Sequence, residues 1–141
     1  MRGPSQDAPD DGEGPAALLS EDALARLVRE FYASARRDPL LGPVFDGAVA
    51  DWSSHHESVT AFWARAALGV SGYRGNPMAA HRKHALTPAM FDRWLQIWRQ
   101  TAGELLEAET AAQIAGRAAH IAESLKLGLF FDPRDARPGG P

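Results

Sequence analysis

The chain has 141 residues, enough for one domain with a single sizeable core. It contains no cysteine, which removes disulfides, thiolate metal sites and cysteine catalysis and fits a reducing compartment. Its net charge is −3, and its 15 Lys and Arg are scattered singly or in pairs, so no basic face for nucleic acid emerges.

No apolar run approaches the ~20 residues of a membrane span. The opening stretch MRGPSQDAPDDGEGP is acidic and lacks the apolar core of a signal peptide, so a cytoplasmic location is expected. Residues 1–17 and 132–141 are rich in Pro, Gly and Asp and are expected to be disordered tails. Residues 18–131 remain as the folded domain.

Ser20 before Glu21 and Asp22 is a helix start, with a capping hydroxyl and acids at the positive end of the dipole. Leu24, Leu27, Val28, Phe31, Tyr32 and Ala35 then keep helical spacing, and the helix must stop before Pro39. The segment Asp38 to Phe45 reads as a tight apolar connection with at most one helical turn. Tyr32 is the polar member of an apolar face. Its neighbours at i±3 and i±4 are Arg29, Val28, Ala35 and Arg36, and the two arginines should point to solvent. A buried hydroxyl there needs a partner from elsewhere.

A second helix spans Asp51 to Leu68, with Trp52, His55, Val59, Phe62 and Ala66 on one face. The chain breaks at Gly75-Asn76-Pro77 and restarts as a short piece from Met78 to His84. Four of the five histidines fall in this region: His55, His56, His81 and His84. Thr87-Pro88 opens another helix, lined by Phe91, Trp94, Leu95, Trp98, Thr101, Ala102 and Leu105. Thr110 and Gln113 read as the capping box of a last helix, with Ile114, Ala118, Ile121, Ala122, Leu125 and Leu129 as its stripe. No segment alternates with period two. The chain is expected to be all-α.

Several chemistries fail on spacing. A zinc peptidase needs His-Glu-x-x-His, and His56-Glu57 is followed by Thr60 in the second ligand position. A di-iron carboxylate bundle needs Glu-x-x-His, and no histidine here has Glu three residues before it. There is no phosphate-binding loop. A small zinc site on His81, His84 and a third histidine, or a helical interaction module without cofactor, stays open on spacing alone. Seven large aromatics (Trp52, Trp63, Trp94, Trp98, Phe31, Phe62 and Phe91) would overfill a four-helix core if all pointed inward. They suit the walls of a planar ligand.

Three strings carry a family resemblance. They are Phe31-Tyr32 with Asp38-Pro39-Leu40-Leu41-Gly42-Pro43-Val44-Phe45; Asp51-Trp52-x-x-His55 with Phe62-Trp63; and Tyr73-x-Gly75-Asn76-Pro77-x-x-x-His81 leading to Phe91-x-x-Trp94-Leu95. Over about Leu24 to Phe131 the chain resembles the truncated haemoglobins of the third group. The resemblance implies a globin-like two-over-two helical sandwich around haem b. In it His81 matches the proximal iron ligand, and Tyr32, His55 and Trp94 match the distal groups that hydrogen-bond ligand. Val59 matches the apolar distal residue, and Phe45, Phe62, Trp63 and Tyr73 match positions at the haem edge or wall.

His84 lies on much the same face as His81 and is expected to reach a propionate. His56 departs from the family pattern and should face a second helix or compete with His55. The link from Phe45 to Asp51 is short for a pocket entrance. The ligands implied are O₂, NO, CO or peroxide, served by an unidentified reductase, with weak peroxidase or NO dioxygenase-type activity compatible with the pocket. Haem-held ligand is the expected partner of the Tyr32 hydroxyl. A monomer or weak dimer is expected, with no membrane and no nucleic acid as partner.

Overall fold

The computed structural model describes residues 19–130, and the tails expected at 1–17 and 132–141 fall outside them. Among the described residues there are six helices and no strand. They are α1 (Glu21–Ala35), α2 (Gly42–Ala48), α3 (Trp52–Leu68), α4 (Pro77–Arg82), α5 (Pro88–Leu105) and α6 (Ala108–Phe130). The four longer helices form two layers, α1 with α3 and α5 with α6, and α1 meets α5 between them. This is a two-over-two sandwich. The short helices α2 and α4 are hung on its sides.

The caps follow the sequence closely. Ser20 accepts from the Ala23 N–H at 3.1 Å, Asp51 from Ser54, Asn76 from Ala79 and Thr87 from Met90. Gly69 ends α3 in the left-handed region at φ 72°, where any other residue would be strained. The α1 stripe is buried as spaced: Leu24, Leu27, Val28 and Ala35 are fully inside, and Phe31 and Tyr32 nearly so.

Thr110 is not the N-cap of the last helix. The helix starts earlier, at Ala108, and the Ala111 N–H already bonds to the Glu107 carbonyl at 2.8 Å. The link from α5 is only Leu106 and Glu107, too short to leave Thr110 outside, and Thr110 is buried in the first turn. The Asp38–Phe45 connection is also more helical than expected, because α2 runs on to Ala48.

A buried anion holds that connection in place. Asp38 accepts the backbone N–H groups of Leu40 and Leu41, each at 3.0 Å, and the Arg93 guanidinium of α5 at 2.7 Å. Burial alone would raise its pKa, but Arg93 and the two N–H groups outweigh it and hold the carboxyl below its ordinary value. The result ties the α1–α2 corner to α5, and with it Leu41, Val44 and Phe45.

Candidate functional site

The aromatic crowding is resolved by stacking rather than by every ring facing a ligand. Trp98 is buried with its ring parallel to those of Trp63, at 4.7 Å, and Trp94, at 5.8 Å. Trp52 lies half-buried at the start of α3 under the Arg36 guanidinium, 4.2 Å from the ring. This packing leaves one side of the core open. A cavity of about 300 Å³ lies between α1, α2, α3, α4, α5 and α6, with predominantly apolar walls.

Every distal and wall residue expected from the sequence borders that cavity: Tyr32, Phe45, His55, Val59, Phe62, Trp63, Tyr73 and Trp94, together with His81. His84 does not. It is exposed at the end of the α4 segment and is absent from the lining. Phe91, one of the aromatics expected around a planar ligand, also lines the cavity, as do Leu41, Ser58, Met90, Ile121 and Leu125, which were not expected there.

Tyr32 is ringed by Phe31, Phe45, Trp52, His55 and His56, with ring centroids 4.9–5.5 Å away. Its hydroxyl is paired: Tyr32 Oη lies 3.0 Å from His55 Nε2. The partner from outside α1, expected to be haem-held ligand, is here His55 of α3. Burial pushes the Tyr32 pKa far up, so the hydroxyl keeps its proton. Burial first, then the neighbouring His56 and His81, hold the His55 pKa below the ordinary histidine value and favour its neutral form. If Nε2–H of neutral His55 donates to Tyr32 Oη, the phenolic proton is free to point into the cavity.

His56 turns away from the cavity and toward α1. Its ring packs at 5.5 Å from Tyr32 and 5.7 Å from Trp52, and its Nε2 is buried without a hydrogen-bond partner. Burial first, then Arg29 and Arg36, lower its pKa. It faces a second helix and does not compete with His55.

Across the cavity, α4 presents His81. Its Nδ1 sits 2.6 Å from the Pro77 carbonyl oxygen, one turn back. A carbonyl can only accept, so Nδ1 carries a proton, and the neutral ring then has its lone pair at Nε2. That is the tautomer a metal-binding imidazole needs, with its outer N–H held by backbone. Among the described residues no group of three or more His, Asp or Glu is gathered that could hold a metal ion. The small zinc site built on His81 and His84 therefore has no third ligand in reach.

The profile of the bacterial-like globin family matches residues 17–126. The chain is a bacterial-like globin. It is 28% identical over 117 residues to the group 3 truncated hemoglobin of Campylobacter jejuni, covering 79% of this chain and 92% of that one. The crystal structure of the group III truncated hemoglobin from Campylobacter jejuni superposes with a TM-score of 0.77 at 27% identity, covering 81% of this globin and 94% of that chain. The globin thus has the truncated-globin fold, and its family implies haem binding with a gas ligand.

The cavity fits such a group on its own chemistry. One imidazole with a free Nε2 stands on one side, two polar hydrogen-bonding side chains stand on the other, and apolar walls lie between. No helix of the described residues is long and apolar enough to cross a membrane.

Proposed function

We propose that this globin holds haem b through His81 and retains charged diatomic ligands on the opposite face for redox chemistry with O₂, NO or peroxide, rather than for transport. The observation that carries the reading is the Tyr32–His55 pair, 3.0 Å apart at the cavity wall, with Trp94 beside it on the same lining. Haem, when bound, supplies an iron that takes an imidazole on one face and a small ligand on the other. His81 provides the imidazole, with Pro77 fixing its tautomer and ring orientation.

Tyr32 stays protonated and donates to whatever acceptor lies before it. His55 stays neutral and spends its one ring N–H on orienting that hydroxyl. The Trp94 indole can only donate. Val59, Phe62 and Phe45 exclude water, which strengthens every one of these bonds. A hydrogen bond to a charged acceptor contributes about 1.5–3 kcal/mol, so two such bonds slow ligand release by roughly 10² or more. A carrier must let go. A pocket that holds its ligand suits a reaction that consumes it in place, with electrons returned by a reductase.

The test mixes the oxygenated, haem-loaded protein with NO by stopped flow and follows the spectrum and the nitrate formed. The proposal predicts slow O₂ release in buffer and rapid conversion of one NO per protein. Release on the millisecond scale with no nitrate would contradict it.

A further inference from the structure

The helix that carries His81 has almost nothing of its own to hold it. It is six residues long, contributes no buried residue, and packs chiefly on α6. Helices this short are marginal without tertiary support. Most of the support comes from the last turns of α6, with Phe91 of α5 against the His81 ring.

Three contacts meet there. The Arg82 guanidinium, next to His81, donates to the Gly128 carbonyl oxygen at 3.3 Å. Met78, three residues before His81, lies over Gly128 so closely that a Cβ built on that glycine would fall 2.7 Å from Met78 Sδ and nearer still to Cε. Phe130 sets its ring edge against Phe91 at 5.9 Å, and Phe91 in turn lies 5.8 Å from the His81 ring. Glycine destabilises a helix interior relative to alanine, so its presence needs a reason. Gly103 and Gly116, in the longer helices, have nothing within 4 Å of where a Cβ would stand. Gly128 differs because Met78 occupies that space.

We infer that Gly128 is a positioning residue for the axial imidazole: the bare backbone at the end of α6 lets Met78 and Arg82 seat α4, and that seat sets how His81 meets the iron. This rests on the reading of His81 as the iron ligand. The atoms in that space are the tip of the flexible Met78 side chain, so a single methyl at 128 is met by a turn of the methionine. A leucine takes the whole volume and pushes on α4, which is otherwise held by its Asn76 cap and by the Phe91 ring against His81. The consequence is local. The distal wall, built on α1, α3 and α5, keeps its geometry, while the tilt and distance of the His81 ring change.

The experiment uses the full, haem-loaded chain, reduced and without gas ligand, and reads the iron–imidazole stretching band by resonance Raman spectroscopy. Gly128→Leu should shift or split that band, and haem transfer to an acceptor apoglobin should quicken roughly tenfold, within the range overpacking produces. Met78→Ala with Gly128→Leu should return both readings toward the parent, because the vacated methionine volume accepts the leucine. Gly116→Leu makes the same chemical change on an open face of α6 and should leave both unchanged.

If Gly128→Leu does not fold, Arg82→Gln reads the same seat through its other contact and should shift the band in the same direction by less. A folded Gly128→Leu, or failing that Arg82→Gln, with the parent band would overturn the inference, and so would an equal shift in Gly116→Leu or no relief by Met78→Ala. A parent protein with no iron–imidazole band at all would overturn the His81 reading and the inference with it. A parent band that ignores residue 128 overturns the inference alone.

Discussion

The two walls of the cavity are built by opposite means. The distal wall draws Tyr32 from α1, His55 and Val59 from α3, and Trp94 from α5, three long helices whose inner faces are the core of the molecule. Tyr32 is only 5% exposed and is surrounded by five rings. On the proximal wall the histidine sits on a single short helix with no buried residue, fixed by an Asn76 cap, one backbone bond to its histidine, the Phe91 ring and the end of α6. The distal residues therefore also carry packing, whereas the proximal histidine hangs on a few local contacts. Changes on the proximal side should alter the cofactor and spare the fold. Changes on the distal side should divide into those that cost packing and those that cost only a donor.

The largest effect should come from His81→Gly. Its loss should remove haem from purified protein, or leave a site recovered only with added imidazole, while the apoprotein melts as the parent does because α4 contributes no buried residue. His84→Ala, at an exposed position outside the cavity, should keep the parent absorption spectrum. A reversal of the two outcomes would put the iron ligand at His84.

Behind the distal wall, outside the cavity lining, Asp38→Ala should act through stability alone. It deletes an acceptor for two backbone N–H groups and for Arg93, and breaking hydrogen bonds to a charged group costs about 2 kcal/mol. Urea unfolding of the apoprotein should show that loss. The haem-loaded spectrum should be close to the parent's.

Trp94→Phe separates donor from bulk. Trp94 stacks on Trp98 and meets Phe31 at 5.8 Å, and phenylalanine keeps most of that contact. O₂ release should quicken about tenfold, as expected for one hydrogen bond of ~1.5 kcal/mol to a charged acceptor. Unchanged release with a large loss of stability would make Trp94 a core residue only.

The smallest effect is a pH dependence confined to the distal side. His55 and His56 both have pKa values lowered by burial from the ordinary 6.5. Below that value the unfolded chain binds more protons than the folded one, so stability rises with pH up to about 6.5 and is lost as pH falls toward the folded-state values. Apoprotein unfolding across pH 5–8 should show this slope. His56→Phe, which removes a titrating ring that has no partner at Nε2, should flatten part of it.

Helix starts and the α1 stripe were legible in the sequence because each rests on a local rule: a capping side chain, a 3.6-residue period, or a proline at the first turn. The residues that border the cavity were expected from the family resemblance, since spacing alone reads them as ordinary core. What was not legible depended on distance through space. Nothing near Tyr32 in the chain points to His55, 23 residues on, as its hydrogen-bond partner. Asp38 reads as a turn residue, and only the fold brings Arg93 to it from 55 residues away. Thr110 matched an N-cap pattern, but a two-residue link forced the helix to start sooner. His84 matched the right spacing from His81, yet the segment's end turns it outward.

The most direct test of the account is Tyr32→Phe in the haem-loaded protein, with O₂ and CO release measured side by side. Phenylalanine fills the same ring of aromatics and deletes only the hydroxyl, so haem content and melting should stay near the parent's. O₂, which draws negative charge when held, should leave about tenfold faster or more, the lower limit for a hydrogen bond of ~1.5 kcal/mol to a charged group. CO carries little charge and should respond far less. Equal acceleration of both gases would mean that Tyr32 acts by shape, and the distal pair would not be the electrostatic device proposed here.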